Sequence, residues 1–263
     1  MKPLLSIKNL TVAVNANKIL DDISWDVAQG KITGIVGGSG SGKTTLGLSI
    51  LRLLPPAMRA DGQILFMGED LTVLTEKQMR QFRGGQAGMV FQEPQSAFDP
   101  LFTIGDQLDE TLMAHMGTRT ETVHVPGMSP RVRYDHIMDT LRSVEIEDPL
   151  RIFRSYPHQL SGGLRQRAMI ALAIVCNPQL VIADEPTSSL DVTIQAKIMR
   201  LLRKLNCERG MTIILITHDL DMIGHLADEI AVMSEGKIVE SGTPANILRA
   251  PRHAYTKALL EAY

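Results

Sequence analysis

At 263 residues with 44% hydrophobic side chains, the chain can bury a substantial core and lies between the usual sizes of one and two domains. A formal net charge of −2 and the lack of a polybasic run exclude sequence-independent attraction to nucleic acid or anionic lipid, so membrane contact has to come through another protein. No apolar run reaches the roughly 18 residues of a bilayer span, and the opening MKPLLSIKNL lacks the apolar core of a secretion signal, so cytoplasmic residence is expected. Cys176 and Cys207 are the only cysteines and support neither a disulfide framework nor a metal cluster.

Residues 1–30 alternate apolar and polar positions, most clearly in ISWDV, where Ile23, Trp25 and Val27 share one face. This predicts antiparallel strands ending at Gly30. From residue 32 the apolar strand ITGIV runs into a glycine loop and then a helix, which is expected to stop at Pro55 and Pro56. Residues 62–67 and 88–92 read as two further strands, with the polar helix TEKQMRQFR between them. The stretch 97–164 is helical in period and shows no strand, as an inserted helical region would. QLVIADE and MTIILITH are short continuous apolar runs, expected of parallel strands covered on both faces, with the helix VTIQAKIMRLLRKL between them. EIAVMSEGKIVESG reads as a hairpin turning at Glu235 and Gly236, and HAYTKALLEAY as a final helix. The fold class is therefore α/β, a mostly parallel sheet between helices preceded by an antiparallel β region.

The chemistry begins in GGSGSGKT, where Gly37, Gly42, Lys43 and Thr44 satisfy G-x-x-x-x-G-K-[ST]. Backbone N–H groups of such a loop wrap phosphate oxygens, so the candidate binding set is Gly37, Gly38, Ser39, Gly40, Ser41, Gly42, Lys43, Thr44 and Thr45. Lys43 is expected to reach the β and γ phosphates and Thr44 to ligate Mg²⁺. LVIADE supplies the strand-end acids: Asp184 for magnesium, and Glu185 as general base for the attacking water. Gln92, after the strand GMVF, is expected at the magnesium or the water, and His218, after IILIT, at the γ phosphate. A second glycine turn, LSGG, precedes a long apolar helical run. Ser161 is expected to cap that helix, and the N–H groups of Gly162 and Gly163 to add an anion site.

In the order GGSGSGKT, VFQEP, LSGGL, VIADEP, SSLD, ITHD, these elements resemble the ATP-binding-cassette ATPases over nearly the whole chain. The resemblance implies a RecA-like parallel core with an antiparallel β subdomain in residues 1–96 and 165–263, and a helical signature subdomain in 97–164. It implies that the Ser161 turn faces ATP held by a second, paralogous subunit, two chains sandwiching two nucleotides head to tail. It makes Gln92 the sensor linking the magnesium site to the helical insertion, Asp191 a contact across the dimer and His218 the γ-phosphate switch. ATP and Mg²⁺ are the implied cofactors. Two integral membrane permease subunits would dock on the helical insertion at the cytoplasmic face of the inner membrane. A periplasmic or extracellular binding protein would act indirectly, and nucleic acid would play no part.

Within that family, MVFQEPQSAFDP, RQRAMIALAI, ADEPTSSLDVTIQAKI and ILRAPRHAYTKALLEA are similar to ATPases of bacterial peptide and nickel importers. Leu164 after LSGG matches the first of their two ATPase subunits, implying a heterodimer. A stop at Tyr263 without the cysteine-rich tail of many dipeptide relatives tilts the expected cargo towards nickel or a metal chelate. Three features depart from the family: Val14 stands where an adenine-stacking ring is usual, EPQSAF varies the segment after Gln92, and residues 117–131 form a long polar loop. With His115, His124 and His136 in or beside that loop, a nickel-sensing site is one reading of it. The alternatives to an importer are an exporter ATPase, which shares every catalytic motif, and a soluble ATPase acting on nucleic acid.

Overall fold

The computed structural model describes residues 3–116, 127–188 and 190–261, so His124, most of the polar loop and Ser189 lie outside the described residues. Strands β1 (Pro3–Val14) and β2 (Asn17–Ala28) form an antiparallel hairpin turning at Asn15, whose φ of 53° suits a short polar side chain. Then come β3 (Ile32–Val36), α1 (Lys43–Ile50), β4 (Met58–Phe66), β5 (Glu69–Asp70) and α2 (Glu76–Gly85). A second stretch contains β6 (Ala87–Val90), α3 (Pro94–Ala97), α4 (Ile104–His115), α5 (Pro130–Ser143), α6 (Pro149–Arg154), α7 (Gly162–Ile174), β7 (Leu180–Asp184) and α8 (Val192–Arg209). The chain closes with β8 (Thr212–Ile216), α9 (Leu220–Leu226), β9 (Glu229–Ser234), β10 (Lys237–Gly242), α10 (Pro244–Arg249) and α11 (Ala254–Glu261).

These elements cluster into two compact units, residues 1–79 with 210–263 and residues 80–209. In the first, β2-β1-β4-β5 make an antiparallel sheet whose inner face carries Ile23 and Val27 fully buried and Trp25 half-buried, the face expected from their alternation. In the same unit β3 lies parallel between β8 and β9, with β10 antiparallel on β9. Every residue of β3 and β8 is buried, as continuous apolar strands in a parallel arrangement should be. The β9–β10 turn falls at Glu235 and Gly236, both at positive φ, as the hairpin reading required.

Strand β4 starts at Met58, ahead of the expected residue 62, and the end of α1 also differs from expectation. Helix α1 stops at Ile50, well before Pro55 and Pro56. Arg52 adopts a left-handed φ of 50°; its N–H bonds the Ser49 carbonyl, and the Leu53 N–H reaches back to the Leu48 carbonyl. That pair of bonds is a Schellman cap, and it is held by the Arg52 guanidinium, which donates to the carbonyls of Leu71 and Leu74 at 3.1 and 2.6 Å. The helix ends where a long-range anchor fixes the left-handed residue, not where the prolines forbid helix.

The second unit holds β6 and β7 in parallel register, Val90 opposite Ala183, together with the helices of the 97–164 stretch, which contains no strand among the described residues. Helix starts there follow the sequence closely. Thr103 and Asp106 form a capping box on α4, and Ser129 and Asp148 cap α5 and α6 immediately before Pro130 and Pro149. Helix α7 buries residues on most of its circumference, as its apolar run predicts. No helix among the described residues is long and apolar enough to cross a membrane.

Candidate functional site

The candidate site residues are divided between the two units. In the first unit the buried strand β3 delivers the chain into the glycine loop. Gly37 is required there by close approach: a Cβ would lie 2.2 Å from the Met233 carbonyl oxygen. Gly42, at φ 100°, precedes α1, and a Cβ on it would meet Leu20 Cδ2 at 2.7 Å. The Lys43 ammonium is buried and donates to the carbonyls of Gly37 and Gly38 at 2.9 and 2.8 Å, so it lies folded along the loop it belongs to. Thr44 is exposed and Thr45 half-buried in the first turn of α1, where the helix partial positive charge is greatest. Ser39 and Gly40 are exposed at the loop's tip, while Ser41 is buried.

Sequence reasoning missed what braces this loop. Gly236, in the β9–β10 turn, donates its N–H to the Ser41 carbonyl at 3.1 Å, and Tyr255 of α11 accepts the Gly38 N–H on its hydroxyl at 2.8 Å. The hairpin turn was legible, but its partner was not. His218 follows β8, which pairs with β3 so that Ile216 stands opposite Ile35 and the Thr217 N–H bonds the Ile35 carbonyl. His218 is thereby exposed at the same carboxyl end of adjacent strands as the glycine loop. Val14 lies half-exposed at the end of β1, opposite Asn17 and Met58.

In the second unit β6 and β7 carry the other catalytic candidates to their common carboxyl end. Asp184 is buried at the last position of β7. Glu185 follows it with φ 43°, a left-handed conformation that costs strain in a residue with a long side chain and turns the carboxylate out of strand geometry. Gln92 is exposed and its amide donates to Glu185 Oε2 at 3.2 Å. Residues separated by 93 positions are thus joined by the parallel pairing of the strands that precede them.

The second glycine turn lies in the same unit against the start of α8. A Cβ on Gly162 would sit 3.4 Å from Leu190, and one on Gly163 would sit 3.2 Å from Ile194. Asp191 caps α8, its Oδ1 accepting the Ile194 N–H at 3.0 Å. Ser161 does occupy the N-cap position of α7 with extended backbone angles, but its hydroxyl makes no capping bond, contrary to expectation. The side chain is exposed, where water serves the hydroxyl as well as the helix would.

The two described histidines beside the polar loop differ in surroundings. His136 Nε2 lies 2.7 Å from the Val175 carbonyl, and burial pushes the His115 imidazole below its ordinary pKa. Among the described residues no group of three or more His, Cys, Asp or Glu is arranged to hold a metal ion.

The model of the family described as ABC transporter matches residues 20–188. The chain belongs to the ABC transporter family. This cassette is 42% identical over 266 residues to the dipeptide transport ATP-binding protein DppD of Bacillus subtilis (strain 168), covering 99% of this chain and 76% of that one. It is 44% identical over 264 residues to the DppD of Haemophilus influenzae, covering 98% of this chain and 77% of the relative. Among solved structures it is similar to the dimeric bacterial ABC transporter cassette MJ0796 at a TM-score of 0.77, with 28% identity over 91% of this chain and 98% of that one. MJ0796 is also known in a post-hydrolysis state bound to ADP and Pi. A TM-score of 0.78, with 27% identity over 95% of this chain and 92% of the other, relates the cassette to cbiO1 of Clostridium perfringens, part of the transporter complex cbiONQ. The cassette is an ABC-type ATPase, and its fold is that of the ABC ATPases.

Proposed function

We propose that this cassette is the ATP-hydrolysing subunit of a bacterial ABC importer for di- or oligopeptides, bound to two membrane permease subunits and paired with a second, paralogous ATPase. The observation that carries the cargo class is the near-full-length identity to ATP-binding proteins named for dipeptide transport. Residues 97–164 form the helical subdomain that meets the permeases at the cytoplasmic face of the membrane, and the rest of the chain forms the ATP-binding core.

The residues present fit a magnesium nucleotide. A Cβ on Gly37 would collide with the Met233 carbonyl and one on Gly42 with the Leu20 side chain, so the loop runs without side chains at both positions, and the oxygen donors of Thr44 and Asp184 are of the kind a hard cation takes. Bound Mg-ATP supplies the phosphoanhydride bond and the neutralising charge. Gly37 to Thr45 hold the phosphates, and the Lys43 ammonium, kept in place by the Gly37 carbonyl, turns a further N–H to a phosphate oxygen. Thr44, Asp184 and Gln92 serve the metal. Glu185, oriented by the Gln92 amide, takes the proton of the attacking water, and His218 contacts the γ phosphate. Ser161, Gly162, Gly163 and Asp191 act on the nucleotide of the paired subunit.

Glu185→Gln is expected to keep ATP affinity while losing about 10²-fold or more in hydrolysis, the scale of a lost general base, and to accumulate as a closed dimer with ATP. Turnover at the wild-type rate removes Glu185 from the mechanism. For the transported molecule, purification with the permeases and uptake of labelled dipeptide that stops in Lys43→Ala is the expected result. Uptake of nickel or a metal chelate instead would move the cargo to the second class, and lipid-stimulated efflux would make the cassette an exporter's.

A further inference from the structure

A hydrogen bond in the first unit joins the glycine loop to the helix α11. Tyr255 is half-buried, and its hydroxyl accepts the Gly38 N–H at 2.8 Å. That N–H belongs to the same rigid peptide plane as the Gly37 carbonyl, which accepts from the Lys43 ammonium at 2.9 Å. One peptide group is therefore gripped on both edges, by a phenol on one side and by the candidate phosphate-binding lysine on the other. Rotating that plane breaks both bonds together. A Cβ at position 38 would lie 3.1 Å from the Tyr255 oxygen and press on it.

The phenol is itself held in place. Glu240 on β10 accepts the N–H groups of Arg252 and His253 at 2.8 and 3.1 Å, which fixes the chain immediately before α11, and His253 Nδ1 accepts the Tyr255 N–H at 3.2 Å. The tail of the unit is thus anchored on the sheet by the Glu240 carboxylate and meets the loop with the Tyr255 hydroxyl.

We propose that Tyr255 is a positioning residue for nucleotide binding: its hydroxyl orients the Gly37–Gly38 peptide, and through that peptide the Lys43 ammonium. The inference rests on the reading of residues 37–45 as the nucleotide loop. It is tested on the full chain with Mg²⁺ and a fluorescent ATP analogue. Tyr255→Phe, which keeps the ring and removes the acceptor, is expected to weaken affinity roughly 3- to 10-fold with the melting temperature of the nucleotide-free protein unchanged. Because Tyr255 acts through Lys43, adding Tyr255→Phe to Lys43→Ala is expected to cost nothing further in titrations carried to millimolar nucleotide. Unchanged affinity in Tyr255→Phe overturns the inference, as does a loss matched by a fall in melting temperature or a full additive loss in the double variant. A wild-type chain that binds no analogue overturns the loop reading itself, whereas wild-type binding with an unaffected Tyr255→Phe overturns only the role of the phenol.

Discussion

Cys176 and Cys207 are chemically the same side chain in different surroundings. Cys176 is buried after α7, and desolvation of its thiolate pushes the thiol up to about 12, whereas Cys207 is exposed on α8. The thiolate is the reactive form, so iodoacetamide at pH 8 is expected to label Cys207 in the native protein and both cysteines in denaturant, read by intact mass. Native labelling of Cys176 would mean that α7 opens readily. The sequence excludes a disulfide framework and a metal cluster for both but does not separate their reactivity, because burial is decided by packing that a short apolar run does not specify. The same limit hid the loop's braces. Tyr255 and Gly38 are 217 positions apart, and nothing local in HAYTKALLEAY marks a hydroxyl that will meet a backbone amide. Lys43, Thr44, Asp184 and Glu185 stand out as candidates in the sequence because the chemistry proposed for them depends on local spacing next to an apolar strand.

At the scale of elements, the close packing of β6 on α7 depends on one missing side chain. A Cβ on Gly88 of β6 would fall 2.1 Å from the Ala173 carbonyl oxygen, an atom locked in the backbone of α7 that cannot step aside. Gly88→Ala is therefore expected to destabilise the chain by about 1–3 kcal/mol, the range for forcing an extra carbon into packed structure, seen as a lower urea midpoint. Gly127→Ala, where a Cβ would meet nothing within 4 Å, is the control and should stay within about 0.5 kcal/mol. Equal effects of the two would deny that β6 and α7 are this tightly apposed. Strands such as β7 and β8 could be read from the sequence because an unbroken apolar run has few other uses at that length. The end of α1 could not, since it is set by the left-handed Arg52 and by carbonyls of Leu71 and Leu74 that come later in the chain.

At the scale of the whole molecule, the decisive question is which nucleotide the Ser161 turn serves, and Ser161 itself offers a clean probe. Its side chain is exposed and makes no capping bond to α7, so replacing it breaks no helix cap and the fold should tolerate a larger residue. If the turn acts on the nucleotide of a paired subunit, Ser161→Arg in the isolated chain should leave the affinity for an ATP analogue within about two-fold of wild type. In the assembled transporter the same substitution should lower ATPase turnover by on the order of 10-fold or more, because a pre-positioned donor at a reacting phosphate is lost and a bulky cation stands in its place. The two measurements separate the possibilities. Parallel loss of affinity in the isolated chain would mean that the turn serves the chain's own nucleotide, and undiminished turnover in the complex would mean that it serves neither. Only intact binding alone with failed turnover in company fits a cassette whose second glycine loop exists for its partner.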